Sequence, residues 1–163
     1  MPRPDLVAMN TKEKLARATL DMTSSESVAL MMGKGNEGND TKLKDFSIKK
    51  IIDKGAFGKV FLVENTKDGK KYAMKRLNKD IILQKNQVEN IKVEKEILFQ
   101  ADHPFVNSME YVFQNDLRIY FFLKYVSGGN LYDNLYKMQR FDEDTVRFIS
   151  AQIVLALGYL HSN

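Results

Sequence analysis

The most informative segment of the chain reads Asp53-Lys54-Gly55-Ala56-Phe57-Gly58-Lys59-Val60 and, after a short interval, Tyr72-Ala73-Met74-Lys75. A glycine-bearing turn between two apolar strands, followed by a lysine on a third strand, is typical of a sheet that binds phosphate. Gly55 and Gly58 lack a Cβ, so their N–H groups can approach an anion closely and their backbone can adopt φ > 0 at little cost. Lys75 would add a point charge, and Asp68-Gly69 predicts the tight hairpin that places both parts on one sheet. The segment indicates nucleotide binding.

Taken alone, this pattern is not decisive. Two glycines three residues apart occur in many ordinary hairpins, and a lysine in a strand is usually a solvated side chain. The residues after the turn disfavour one alternative, a metabolic nucleotide-binding enzyme, because Val60-Phe61-Leu62-Val63 continues as a strand. The phosphate loop of most metabolic nucleotide-binding enzymes opens directly into a helix instead, so that class is disfavoured.

The composition is that of an ordinary soluble globular protein. The chain has 163 residues, of which 44% are hydrophobic and 28% charged, enough for one domain or part of a larger one. Its net charge of +4 is not gathered into a basic stripe with interleaved aromatics, so we expect no nucleic-acid partner. There is no cysteine, and His103 and His161 lie far apart, so we expect no metal site.

The sequence also predicts the compartment. The first residues contain no charged segment followed by an apolar core, so a secretory signal is not expected. The most apolar stretches, around residues 120–126 and 148–160, are too short to span a membrane. We therefore expect a soluble cytoplasmic or nuclear protein with no membrane partner.

The pattern of elements divides the chain at about residue 44. Residues 1–44 are predicted to form a flexible N-terminal extension, because the run from Gly33 to Asp40 cannot contribute to a core. The remainder predicts an α+β fold with strands at 46–52, 59–64, 71–77, 108–113 and 118–126, and helices at 86–100, from about 130, and after an Asp142 N-cap. This order predicts a five-stranded antiparallel sheet with one main helix on it, followed by further helices.

This order of elements, with these residues, resembles the protein kinase fold over residues 46–163, and in particular the AGC-type (cyclic-nucleotide-dependent and Akt-like) serine/threonine kinases. The glycine-rich loop of that family, G-x-G-x-x-G-x-V, corresponds to Asp53 through Val60, and its V-A-I-K segment corresponds to Tyr72 through Lys75. The resemblance divides the chain into a small lobe with the hinge, residues 45–126, and the start of a truncated helical large lobe, residues 127–163. It also implies that ATP is bound by Ile52, Asp53, Lys54, Gly55, Ala56, Phe57, Gly58, Lys59, Val60, Ala73 and Lys75.

The resemblance assigns further roles. Val93-Glu94-Lys95-Glu96 resembles the helix segment whose glutamate pairs with the lysine, which selects Glu94 as the partner of Lys75. Helical spacing agrees, since Glu94 lies between Ile91 and Leu98 on the side expected to face the sheet. In the hinge, Leu123 would be the gatekeeper, while the carbonyl of Lys124 and the N–H of Val126 would bond the adenine edge. Asn130 would lie near the ribose.

Two residues depart from the family pattern. Asp53 replaces the first glycine of the loop. A carboxylate about 6 Å from a phosphate charge would cost roughly 3 kcal/mol at an effective dielectric constant of 20 if it points inward, and little if it points outward. Asn130 replaces a glutamate that contacts the ribose and basic substrate residues in this branch, so a preference for arginine-rich sites does not follow.

The resemblance implies a serine/threonine kinase that, in its complete form, transfers the γ-phosphoryl of ATP to protein hydroxyls with Mg²⁺. The chain ends at Asn163, where the family's H-R-D catalytic loop would follow, so the catalytic aspartate and the Mg²⁺ ligands of the D-F-G segment are not in it. We expect this chain alone to be inactive. The alternative is a truncated or pseudokinase-like module that binds nucleotide or a partner. The helix from Phe148 to Leu160 is apolar almost all round, so a protein partner could cover it.

Overall fold

The computed structural model describes residues 41–162, which form an antiparallel sheet and four α-helices. The strands are β1 (Phe46–Gly55), β2 (Gly58–Asn65), β3 (Lys71–Asn78), β4 (Met109–Gln114) and β5 (Arg118–Lys124). Their order in the sheet is β1-β2-β3-β5-β4, and every neighbouring pair is antiparallel. The predicted α+β fold with five antiparallel strands is therefore confirmed. The extension predicted for residues 1–44 lies almost entirely outside the described residues.

The helices are α1 (Lys79–Gln84), α2 (Val88–Gln100), α3 (Leu131–Met138) and α4 (Glu143–Ser162). Helix α1 was not expected from the sequence, since it is only six residues long and directly follows β3. Its Ile82 is almost fully buried, which explains how so short a helix is held. The predicted helix from residue 86 begins instead at Val88, because Asn86 has a φ of 52° and breaks the chain direction between α1 and α2.

The two faces of the sheet carry separate apolar clusters. The inner cluster lies under α1 and α2 and consists of Leu77, Ile82, Ile91, Met109, Val112, Ile119 and Phe121. The outer cluster consists of Phe61, Val63, Tyr72, Met74, Tyr120 and Phe122, with Leu43, Phe46, Tyr111 and Phe113 packed against it. Phe46 contacts four rings of this outer cluster, the nearest being Phe122 with centroids 4.3 Å apart. Because both faces are covered, the sheet is a rigid support for residues at its edges.

Tight turns and caps fix the ends of the elements. Gly69 has a φ of 72° in the β2–β3 turn, as the Asp68-Gly69 signal predicts. Asp142 caps α4, because its Oδ1 accepts from the N–H of Thr145 at 2.8 Å. Hydrogen bonds from the backbone and hydroxyl of Thr145 hold the pKa of Asp142 below its usual value.

Helix α4 packs little of its surface against the described residues. It has no buried residue, and its apolar side chains Val146, Phe148, Ile153, Val154, Leu155 and Leu157 are between 46% and 68% exposed. No helix in the described part of the chain is long and apolar enough to cross a membrane.

Candidate nucleotide site

The inner face of the sheet presents a lysine beside a row of apolar residues. In the pairing register, Lys75 on β3 lies opposite Val60 on β2, and Ala73 lies opposite Leu123 on β5. Ala73 and Lys75 are two residues apart, so their side chains share a face, and directly opposed residues of antiparallel strands also share a face. Val60, Ala73 and Leu123 therefore form an apolar panel next to the Lys75 ammonium group.

Helix α2 supplies the partner of that ammonium group. Lys75 Nζ donates to Glu94 Oε1, and the two side chains are 29% and 33% exposed. Ile91 is buried in the inner cluster and Leu98 packs against it, so these two residues fix the face of α2 that meets the sheet. Glu94 lies between them and is thereby directed at Lys75. An ion pair at this depth is screened less than a surface pair and fixes the lysine in one position.

The glycine turn, residues 55–58, connects β1 to β2. Gly55 pairs with Gly58 across β1 and β2, and Ala56-Phe57 forms the turn between them. Among the described residues the glycines with positive φ are Gly69, Gly128 and Gly129. Gly55 and Gly58 therefore do not use the positive φ values that glycine can adopt. The turn joins regular strand ends, in which φ is negative.

Gly58 is required for a different reason. A Cβ built on it would lie 1.8 Å from the carbonyl oxygen of Arg76, a contact that no side chain could make. The missing Cβ lets β2 approach the backbone of β3 at the base of the turn. A Cβ on Gly55 would meet nothing within 4 Å, so this position faces open space where a ligand could approach the backbone.

Phe57 ties the turn to the sheet. Its carbonyl accepts from the N–H of Asn78 at 2.9 Å, and its ring packs against the inner cluster. The ammonium group of Lys85 lies 5.5 Å from the centre of that ring. The tip of the turn is thus held over the end of β3, close to the segment between α1 and α2.

The register also places Asp53. Asp53 pairs with Val60, whose partner on the next strand is Lys75, so the carboxylate is on the inner face. It is exposed, and its Oδ1 accepts from the N–H of Lys54 at 2.7 Å. The strand pairing shifts between Ile51 and Asp53, which leaves Ile52 as the extra residue of a bulge. Lys54 pairs with Lys59 on the opposite, outer face.

The end of β5 leads into the hinge, residues 123–126. Leu123 is partly buried between Ala73 and Met109, while the Val126 side chain is 73% exposed. The Lys124 carbonyl accepts from Asn107 Nδ2 at 3.2 Å, and the Lys124 N–H donates to the carbonyl of Ser108 at 3.4 Å. Asn107 was not among the residues singled out from the sequence, because it lies in a loop and belongs to no motif.

Asn130 is engaged in the local structure of the chain. Its Oδ1 accepts from the N–H of Asp133 at 2.7 Å and so caps α3. Gly128 and Gly129, with φ of 102° and 80°, turn the chain between the hinge and this cap. Asn130 therefore lies shortly after the hinge in sequence, and its Oδ1 already accepts one hydrogen bond, from the N–H of Asp133.

A groove of about 820 Å³ lies beside the end of β5. It is bounded by residues 101–108 after α2, by Lys124 and Val126, and by one face of α4. One wall is joined to the other through Tyr159, whose hydroxyl accepts from the N–H of Asp102 at 3.0 Å and whose ring stacks on His103 with centroids 5.0 Å apart. The groove therefore shares Lys124 and Val126 with the residues singled out from the sequence.

Within residues 41–162, no group of three or more histidine, cysteine, aspartate or glutamate side chains is placed to hold a metal ion.

Comparison with known proteins agrees with the geometry. A family model for the protein kinase domain matches residues 46–163. The chain is 44% identical over 120 residues to a cAMP-dependent protein kinase catalytic subunit from Dictyostelium discoideum, covering 74% of this chain and 18% of that protein. It is 39% identical over 142 residues to RAC-beta serine/threonine-protein kinase A from Xenopus laevis, covering 87% of this chain and 29% of that protein.

A third relative extends further along the chain. The RAC family serine/threonine-protein kinase homolog of D. discoideum is 37% identical over 160 residues, covering 98% of this chain and 36% of that protein. The chain therefore spans between about a fifth and about a third of the length of these relatives.

Proposed function

Because the chain belongs to the protein kinase family, we propose that it is the ATP-binding part of a serine/threonine protein kinase. In the complete enzyme, this part would hold ATP while its γ-phosphoryl group is transferred to a protein serine or threonine. Residues 45–126 would be the small lobe and hinge, and residues 127–163 the start of the large lobe. The relatives named as serine/threonine kinases support this assignment.

The observation that carries the proposal is the Lys75–Glu94 ion pair beside the apolar panel. Phosphoryl transfer depends on positioning and on electrostatic stabilisation of the phosphates. A lysine held by a carboxylate can donate to the α- and β-phosphates without losing its orientation. Val60, Ala73 and Leu123 provide an apolar surface for the base, and the hinge backbone provides the polar groups that fix its edge.

The family resemblance implies two cofactors, ATP and Mg²⁺. The open space at Gly55 and the panel beside Lys75 fit a nucleotide. Mg²⁺ would neutralise phosphate charge in the complete enzyme, and the described residues contain no cluster of three or more side chains that could hold it. The work assigned to this chain is therefore to bind the base, orient the phosphates and keep Lys75 in place.

Thermal unfolding with and without MgATP tests the proposal. A nucleotide that binds the folded chain raises its melting temperature, by an amount equivalent to about 2.7 kcal/mol at a hundred times the Kd. We expect this shift in the native chain, a much smaller one in Lys75→Ala, and a native shift in Lys92→Ala. Lys92 is a suitable control because it forms an exposed ion pair with Glu89 on the same helix. The absence of a shift in the native chain and in Asp53→Gly would exclude ATP.

A second candidate is a catalytically inactive module that acts by binding a partner. The exposed apolar side chains of α4, among them Val154 and Leu155 at 66% and 57%, favour it, since patches of this kind usually mark interfaces. The double variant Val154→Glu/Leu155→Glu should then reduce self-association in sedimentation velocity experiments. A native chain that sediments as a monomer at all concentrations would count against this candidate.

A further inference from the structure

The side chain of Asn107 contacts the backbone of Lys124 at the end of β5. It lies in the loop between α2 and β4, outside every motif, and its Nδ2 donates to the backbone carbonyl of Lys124 at 3.2 Å. The neighbouring residue Ser108 accepts from the N–H of the same Lys124 at 3.4 Å. Both polar backbone groups of Lys124 are thus engaged by two consecutive residues of one loop, at the point where β5 ends.

This contact restrains a part of the chain that would otherwise be free to move. After Lys124 the strand pairing stops, and Gly128 and Gly129 follow within five residues. A carbonyl oxygen has two lone pairs, so the Asn107 amide occupies one and leaves the other for a ligand. The amide must present its NH₂ group to the carbonyl, because the opposite orientation would set two oxygens against each other.

We propose that Asn107 is a positioning residue for the nucleotide base and favours a 6-amino purine over a 6-oxo purine. The inference rests on the proposed function, in which the Lys124 carbonyl accepts from the amino group of adenine. Asn107 holds that carbonyl in the accepting orientation. A 6-oxo group would place an oxygen against this carbonyl, which is unfavourable because a carbonyl has no proton to donate.

Direct binding measurements on the 163-residue chain test this role. The Kd values of MgATP and of MgITP, which carries a 6-oxo base, are measured by displacement of a fluorescent ATP analogue. Two variants are compared with the native chain: Asn107→Leu, which keeps the branched shape, and Asn107→Ala. Asn90→Leu is the control, because Asn90 is an exposed residue of α2 whose Nδ2 donates to Gln87 Oε1, away from Lys124 in sequence.

The ratio of the ITP Kd to the ATP Kd should fall about three- to tenfold in both Asn107 variants, the equivalent of one hydrogen bond, and stay unchanged in Asn90→Leu. A merely structural role would weaken the binding of both nucleotides equally and leave the ratio of the two Kd values unchanged. That result would overturn the role of Asn107 and leave the proposed function standing. If the native chain binds neither nucleotide, the proposed function itself is overturned, and the inference with it. Circular dichroism of each variant confirms that the fold is retained.

Discussion

Lys75 and Glu94 form an ion pair on the inner face of the sheet, although 19 positions separate them in sequence. The pair links β3 to α2. Its position depends on Ile91 and Leu98, which set the rotation of α2 on the inner cluster. The position of the Lys75 side chain is therefore a consequence of core packing.

Glu94→Gln should weaken MgATP binding more than it weakens the fold. Without the carboxylate, the Lys75 ammonium group loses the partner that orients it, so we expect the Kd to rise about fivefold, and the free energy of unfolding to change by less than about 1 kcal/mol because the pair is partly exposed. Isothermal titration and urea unfolding measure the two effects. Glu89→Gln, in an exposed pair on the same helix, should change neither value. Equal affinities for all three proteins would show that the pair does not position Lys75.

Gly58→Ala should destabilise the protein by about 1–3 kcal/mol, because the new Cβ would overlap the carbonyl oxygen of Arg76 and force the two strands apart. Gly55→Ala places its Cβ in open space and should change the free energy of unfolding by no more than about 0.5 kcal/mol. Urea denaturation of both variants gives the comparison. A Gly58→Ala protein as stable as the native chain would mean that the close contact between β2 and β3 does not exist in solution.

Asp53→Asn should strengthen MgATP binding. The substitution removes one negative charge from the inner face and keeps the oxygen that accepts from the Lys54 N–H. For an exposed charge several ångströms from the phosphates we expect about a three- to tenfold gain at low salt. The gain should shrink as ionic strength increases, since salt screens the repulsion. A gain that is the same at 20 mM and 500 mM salt, or no gain at all, would contradict an electrostatic effect of Asp53.

Tyr72→Phe should lower the stability of the sheet at neutral pH and alter its dependence on pH. The Tyr72 hydroxyl donates to Glu110 Oε2 at 3.1 Å, and loss of this bond should cost about 0.5–1.5 kcal/mol. Burial, and then hydrogen bonds with Tyr111 and Glu110, raise the pKa of Tyr72 far above its ordinary value of 10.0. The folded state therefore holds this proton more tightly than the unfolded state does.

The sign of the pH effect follows from that difference. Because the pKa of Tyr72 is raised on folding, its contribution to stability is complete below about pH 10 and is lost as the pH rises above that value. The difference in free energy of unfolding between the native chain and Tyr72→Phe should therefore decrease above pH 10, which urea unfolding at pH 8 and pH 10.5 can measure. A constant difference would mean that Tyr72 titrates normally in the folded protein.

The order and type of the main elements could be predicted because local patterns specify them. Alternating apolar residues predicted the five strands, the Asp68-Gly69 pair predicted the β2–β3 hairpin, and Asp142 predicted the start of α4. Helix α1 was missed because six residues carry too little periodicity to be distinguished from a loop. It forms because Ile82 is buried against the inner cluster, a contact with residues distant in sequence.

Some residues of the candidate site could likewise be predicted from the sequence, and others could not. The residue types at Gly55, Gly58, Lys75 and Glu94 pointed to a nucleotide from the sequence alone, since phosphate binding needs small residues and a cation near one another. The role of Gly58 could not be predicted, because the atom it makes room for belongs to Arg76 on the next strand. The contact of Asn107 with Lys124 also joins residues 17 positions apart and follows only from the pairing of β4 with β5.

The sequence by itself determined the α+β class and the family and indicated Lys75 and Glu94 as partners, because each of these residues stands in a short local motif. Tertiary structure alone decided that Asp53 shares the inner face with Lys75, that Gly58 is needed for strand contact, and that Asn107 holds the hinge carbonyl. These three depend on strand register and loop placement. Register is set by how whole strands fit the two apolar clusters, and no single segment of the sequence contains that information.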